Sequence, residues 1–255
     1  MVAKTYNFFP APCLNCFNTQ LDPCLSILKQ VTVKETFLNN PLILLIQGIK
    51  MSMSRASLGE EVYLRGLTGF LTGATLYEGY KRIAVVTVAD RICCSIVAAQ
   101  VAGYMHRHGY GNGVFKVFFY EEGGEDALAE EVASMKPDAV SIVLGGEQKM
   151  SFVASATQRV LKAFARRRIQ VPIVFHVRVF LATKQLTTLL SDPELAGYLG
   201  SLPEVRVFTA DLNAGKFNYS KILFTEGKPS LVKYAESNLT EEHVELLKKS
   251  LPPPE

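Results

Sequence analysis

The sequence predicts an α/β fold: a Rossmann-like, doubly wound, mostly parallel six-stranded sheet with a small C-terminal hairpin and helix. Two observations predict it. From residue 41 to residue 212, strand-length apolar runs alternate with helix-length stretches, and such alternation over short connections gives parallel strands with right-handed crossovers. Several of the runs are apolar without a break, as in strands covered on both faces.

The first strand is Pro41–Gly48 (PLILLIQG). A helix follows over Leu58–Tyr77, where Gly66, Gly69 and Gly73 suggest close packing against the sheet. Arg82–Ala89 (RIAVVTVA) is the second strand, and Arg91–His108 the next helix, closed by Gly109. Val114–Tyr120 is the third strand. Glu125–Met135 is a short helix whose first turn carries acids, as the helix dipole favours. Asp138–Leu144 is the fourth strand, followed by a helix over Ser151–Arg168. Val171–Phe180 (VPIVFHVRVF) is the fifth strand; its His176 reads as a satisfied core histidine. Lys184–Gly200 is helical with a break near Pro193, and Val205–Thr209 is the sixth strand. The expected organisation is an N-terminal extension (1–40), a Rossmann-like domain (41–212) and an appendage (213–255). The appendage holds a hairpin, Lys221–Thr225 and Ser230–Tyr234, and a helix over Thr240–Ser250 that Thr240 can cap.

The chain has 255 residues, 48% of them hydrophobic and 20% charged, an ordinary globular balance. No run of eighteen apolar residues exists, so no membrane span is expected. The N-terminus lacks a charged region followed by an apolar one, so a cytoplasmic location is expected. Cys13-x-x-Cys16 with Cys24 offers three thiolates, and zinc would need a fourth ligand such as His106 or His108. Unpaired or structural cysteines are the preferred reading, with no metal and no cofactor.

Charge is distributed unevenly. Gln148–Ser191 contains no Asp or Glu but eight cations: Lys149, Arg159, Lys162, Arg166, Arg167, Arg168, Arg178 and Lys184. A second acid-free window, Thr36–Gly59, contains Lys50 and Arg55. A polyanionic ligand lying near both windows would account for them. Doubly wound sheets bind ligands beyond the carboxyl ends of their strands, at the switch point. On the simplest assignment that point lies between the first and fourth strands. The loops there are Gln47–Ser57 and Gly145–Ser151, both led by glycine and both cationic. Backbone N–H groups at such loops, and the helix N-termini behind them, suit an anion. Dinucleotide, Walker A and nucleophile-elbow sequences are absent.

These loops carry a resemblance. SIVLGGEQKMSFVA (Ser141–Ala154), ILLIQGIKMSMS and VRVFTADLNA (Val205–Ala214) resemble the ligand loops and closing strand of CRISPR-associated Rossmann-fold (CARF) domains, over roughly residues 41–235. The stretch departs from that pattern at Leu144, where a threonine is usual, and at Glu147. The resemblance implies a homodimer that binds cyclic oligoadenylate, the tetra-adenylate ring first, in type III CRISPR antiviral signalling. Metal-independent ring cleavage is a second implied activity, with Lys50, Ser52 and Lys149 as its catalytic groups. Gly48, Ser54, Arg55, Gly145, Gly146, Gln148, Met150 and Ser151 would line the ligand. No HEPN-type Arg-x4-His spacing is present. Residues 213–255 hold no helix-turn-helix, so DNA binding is not expected. The alternatives are a Rossmann-like enzyme acting on another anionic nucleotide or metabolite, and a CARF-like transcription regulator.

Overall fold

The computed structural model describes residues 55–225 and 228–250. The expected first strand, Cys13, Cys16, Cys24, and the loop residues Gly48, Lys50, Ser52 and Ser54 lie outside the described residues.

Helix α1 (Leu58–Leu76) opens on a reciprocal cap. Ser57 Oγ accepts from the Glu60 N–H at 3.3 Å, and the Glu60 carboxylate accepts from the Ser57 N–H at 2.8 Å, so two otherwise orphan donors are satisfied. There follow β1 (Arg82–Thr87), α2 (Arg91–His108), β2 (Val114–Phe119), α3 (Glu125–Met135), β3 (Ala139–Val143) and α4 (Met150–Arg166). Next come β4 (Ile173–Phe175), α5 (Val177–Ala182), α6 (Thr187–Leu190), α7 (Pro193–Ser201) and β5 (Val205–Asp211). The hairpin β6 (Lys216–Thr225) and β7 (Lys228–Asn238) and the helix α8 (Glu241–Ser250) complete the series.

The fold is mixed α/β and Rossmann-like, with one mostly parallel sheet in the order β2-β1-β3-β4-β5-β6-β7. The described sheet has seven strands: five of the expected six, the first lying outside the described residues, and the two of the hairpin. β6 pairs antiparallel with β5, and β7 with β6, so the hairpin extends the sheet. The sheet separates two apolar clusters. Ile83, Val85, Val143 and Val174 point toward α1, α2 and α8. Ala84, Val86, Ile142 and Phe175 point toward the side of α3, α4 and α7. Strand alternation thus sends each unbroken apolar run into both clusters.

The expected fifth strand is corrected. Only Ile173–Phe175 pairs as strand, and the chain turns at His176 into α5. The residues after His176 remain buried in the helix, so apolarity alone could not tell the two states apart.

The glycines of α1 pack against a helix rather than the sheet. A Cβ on Gly73 would stand 2.0 Å from the Gln100 carbonyl of α2, and one on Gly103 2.0 Å from the Phe70 carbonyl of α1. Gly66 has open space around it. Alanine gains about 1 kcal/mol over glycine in a helix interior, but overpacking costs about 1–3 kcal/mol or more. Gly73→Ala should therefore destabilise by about 2 kcal/mol, whereas Gly66→Ala should stabilise by about 0.5–1 kcal/mol. Urea unfolding of the two variants checks the contrast, and equal effects would contradict it.

Candidate functional site

From β1 the chain moves to β2 on one side, then returns to β3 on the other. The switch point among the described strands therefore lies at the carboxyl ends of β1 and β3, where open α/β sheets bind ligands. Three chain segments meet there: Val88–Asp90 after β1, Leu144–Lys149 after β3 and His176 after β4.

The Gly145–Ser151 loop stands at this point, but its donors are engaged. Gly145, at φ +93°, and Gly146 donate their N–H groups to Gln148 Oε1 at 3.2 and 3.1 Å. The Gln148 amide donates in turn to Asp90, which also caps α2 by accepting from Cys93 N at 2.7 Å. A Cβ on Gly146 would lie 2.4 Å from an Asp90 carboxylate oxygen. A carboxylate thus stands where the sequence suggested a phosphate, and like charge excludes the phosphate from that spot. Glu147 accepts from Arg91 at 2.9 and 3.0 Å, and that pairing holds its carboxyl below the usual range. Lys149 is the N-cap of α4 without a side-chain cap bond, half-buried Met150 opens the helix, and Ser151 and Arg55 are exposed.

The cation-rich window has a different origin from the expected polyanion. Arg159 pairs with Glu122 at 2.7 Å, Lys162 with Asp192 at 2.7 Å, Arg166 with Asp126 at 2.7 Å and Arg167 with Glu130 at 3.1 Å. All four acids lie outside the window, so it forms one side of a set of ion pairs between elements.

Of the four cations of the window outside this set, Arg178 leads to the chemistry. It lies in α5 with its side chain 5% exposed, and Arg65 of α1 is 4% exposed. Arg65 donates to Glu61 Oε2 at 2.9 Å, and Arg178 approaches the same oxygen at 3.5 Å. Both also donate to the Ser250 hydroxyl, at 3.3 and 2.9 Å. Two buried guanidiniums thus share one carboxylate. Burial, followed by repulsion from Arg65, pushes the Arg178 guanidinium down to about 10.

His176 faces this pair. Its Nδ1 accepts from the Arg178 N–H at 3.3 Å, which places the ring proton on Nε2. Nε2 is buried and has no hydrogen-bond partner among the described groups, so the expectation of a satisfied core histidine holds for one nitrogen only. Burial, then Arg65 and Arg178, keep the ring well below its ordinary pKa and therefore neutral. The ring lines a narrow crevice with Arg65, Ile92, Cys93, Ile96, Val143, Leu144, Gly145 and Gly146. Burial raises the Cys93 thiol, so it is not a thiolate nucleophile. The crevice therefore offers hydrogen-bond donors and positive charge over an apolar floor.

Sequence reasoning counted Arg178 among the window's cations and passed over Glu61, Arg65 and Ser250. The legible signal was an arginine inside the otherwise apolar VRVFLA run. Glu61 and Arg65 have the spacing of an ordinary surface pair.

A family model described as "Uncharacterized protein" matches residues 61–246. No curated protein matches the chain. Solved structures resemble it in fold. One is an extracellular ligand-binding receptor from Verminephrobacter eiseniae, 10% identical, covering 62% of this chain and 38% of that one, with a TM-score of 0.39. Another is a type 1 periplasmic binding protein from Bordetella pertussis, 15% identical, covering 59% and 35%, with a TM-score of 0.41. A third is a leucine-binding protein from Thermotoga maritima, 14% identical, covering 61% and 39%, with a TM-score of 0.37. The match spans little more than a third of the length of each of these proteins.

These neighbours correct the CARF resemblance, since they are binding proteins of another kind. The CRISPR role, the cyclic oligoadenylate ligand and ring cleavage are withdrawn with it. The cytoplasmic expectation is withdrawn too, because the matched proteins are extracellular or periplasmic. Among the described residues, no helix is long and apolar enough to cross a membrane.

Proposed function

We infer that this chain, which belongs to the family matched over residues 61–246, binds a small anionic molecule at the carboxyl edge of its sheet. The observation that carries this reading is the His176 Nε2–H, a buried donor with no acceptor in good hydrogen-bond geometry and only the Leu144 backbone acting on the ring, in a crevice it shares with Arg65. An unsatisfied buried donor costs about 1–3 kcal/mol, and an acceptor-bearing ligand would remove that cost. Arg178 adds a second buried guanidinium. The groups favour binding over catalysis. A histidine held neutral far below its ordinary pKa is a poor general base, and the raised Cys93 thiol is a poor nucleophile.

Thermal unfolding in acetate, butyrate, phosphate or AMP, against sodium chloride of equal ionic strength, tests the reading. At least one of these anions should raise the midpoint beyond the chloride control. Arg178→Met should abolish that rise, and His176→Phe should weaken binding by about tenfold, the value of one hydrogen bond of about 1.4 kcal/mol. Four anions that behave like chloride would refute it.

A further inference from the structure

The group now set between the two guanidiniums is the Ser250 hydroxyl, in the last turn of α8 and only 3% exposed. It is a neutral acceptor serving two cations. A carboxylate in that position would accept stronger, charge-assisted bonds in the paired geometry guanidinium prefers. The surrounding charge limits what can enter. Arg55, Arg65 and Arg178 act on this region against Glu61 and Asp90, while burial keeps His176 and His243 neutral. Lys249 is already paired with Glu60 at 2.8 Å, and Glu147 with Arg91 at 2.9 Å. Arg55 is exposed and screened, but the two buried guanidiniums share the single carboxylate of Glu61, which leaves one positive charge in excess within the cluster that a monoanion balances and a dianion oversteps. On the Arg65 side, Ile92, Ile96, Val143 and Leu144 line the adjoining crevice, which suits a short hydrocarbon body.

We infer that the ligand is a monocarboxylate with a short apolar body, whose carboxylate takes the place of Ser250 Oγ between Arg65 and Arg178. This rests on the anion-binding reading above. Entry requires the last turn of α8 to swing outward, since the Ser250 hydroxyl occupies the place between the two guanidiniums. The rest of α8 can stay in place. His243, Leu246 and Leu247 are buried on the sheet side, whereas the last turn is held through the Ser250 hydroxyl, the exposed Lys249–Glu60 pair and one backbone bond from Ala56 N to Lys249 O at 3.3 Å. The helix end is therefore both gate and stand-in for the ligand.

Ser250→Asp supplies the carboxylate from within. Its thermal midpoint should exceed the wild type's, and calorimetry should show butyrate binding weakened at least 100-fold. Ser250→Ala removes the competing hydroxyl and should bind butyrate several-fold more tightly. Hydrogen exchange in wild-type protein should quicken at residues 248–250 on adding butyrate, a readout independent of whether Ser250→Asp folds. Unchanged butyrate affinity in both variants, exchange at 248–250 that slows or stays constant, or tighter binding of phosphate than butyrate would each overturn the displacement while leaving an anion site intact. Failure of butyrate, acetate, phosphate and AMP alike to bind wild type and Ser250→Ala would overturn the anion site itself.

Discussion

Glu61→Gln should destabilise the protein by about 3–5 kcal/mol, because it leaves two buried guanidiniums without the carboxylate they share. Arg65 lies 2.9 Å and Arg178 3.5 Å from the same Glu61 oxygen. Glutamine keeps the shape and one acceptor but removes the charge. The desolvation cost of both cations then stands uncompensated. Asp126→Asn gives the comparison. Its partner Arg166 is 52% exposed, and exposed pairs are worth about 0–1 kcal/mol. Urea unfolding of the two variants should separate them clearly. Adding Arg178→Met to Glu61→Gln should recover much of the loss, since it removes one stranded charge. A Glu61→Gln change no larger than that of Asp126→Asn would mean that water reaches the cluster and screens it.

Acidification should weaken the fold between about pH 6.5 and pH 4, before most carboxylates titrate. His243 is buried, with Nε2 2.9 Å from Thr68 Oγ1. Burial, then the nearby Arg65, hold it down at about 4, and His176 lies well below its ordinary value for the same two reasons, with Arg178 added. Both folded-state values lie below the unfolded value of about 6.5, so the unfolded chain binds more protons in this window. The stability they contribute is complete above about pH 6.5 and drains as the pH falls. A His243 value near 4 corresponds to a loss on the order of 3 kcal/mol once the pH reaches about 4, and His176 adds to it. Glu60, Glu204 and Glu236 are held down at about 2, so their contribution begins to fall only below the ordinary carboxylate range. Chemical unfolding at pH 7.5, 6.0 and 5.0 should show the decline, and His243→Gln should make it shallower. A midpoint constant from pH 7.5 to 5.0 would rule out neutral buried histidines.

Much of the fold was legible because its signals are local. Asp90 before an apolar stretch, acids at Glu125 and Asp126, and Asp192-Pro193 at a helix start all mark elements that the structure shows. β4 was overextended because its boundary is set by a turn at His176, and Val179 and Phe180 beyond it are as buried as Ile173–Phe175 before it. The hairpin's place at the edge of the sheet depends on pairing with β5, which no local pattern encodes.

The site was less legible. Position within the sheet pointed to Gly145-Gly146, yet the surroundings of that loop depend on Asp90, more than fifty residues earlier in the chain. Glu61 and Arg65 look like a surface pair until α8, some 185 residues away, covers them. Burial turns an ordinary i,i+4 pair into half of a buried charge cluster, and burial here comes from distant sequence.

The clasp between α1 and α8 also sets an order on biosynthesis. Ala56 meets Lys249, Tyr63 meets Glu242 at 3.3 Å, Thr68 meets His243 and Arg65 meets Ser250, so the earliest described helix is completed by the latest. While a ribosome is still translating residues 77–240, α1 can settle against α2, but Thr68 and Arg65 lack their α8 partners His243 and Ser250. A nascent chain must hold that face open until α8 clears the exit tunnel, about 30–40 Å of backbone beyond the last β-strand if extended. A messenger that ends early, or a protease that clips the 239–240 junction, would therefore release a domain whose sheet is built but whose Arg65 and Arg178 have lost the Ser250 hydroxyl they share.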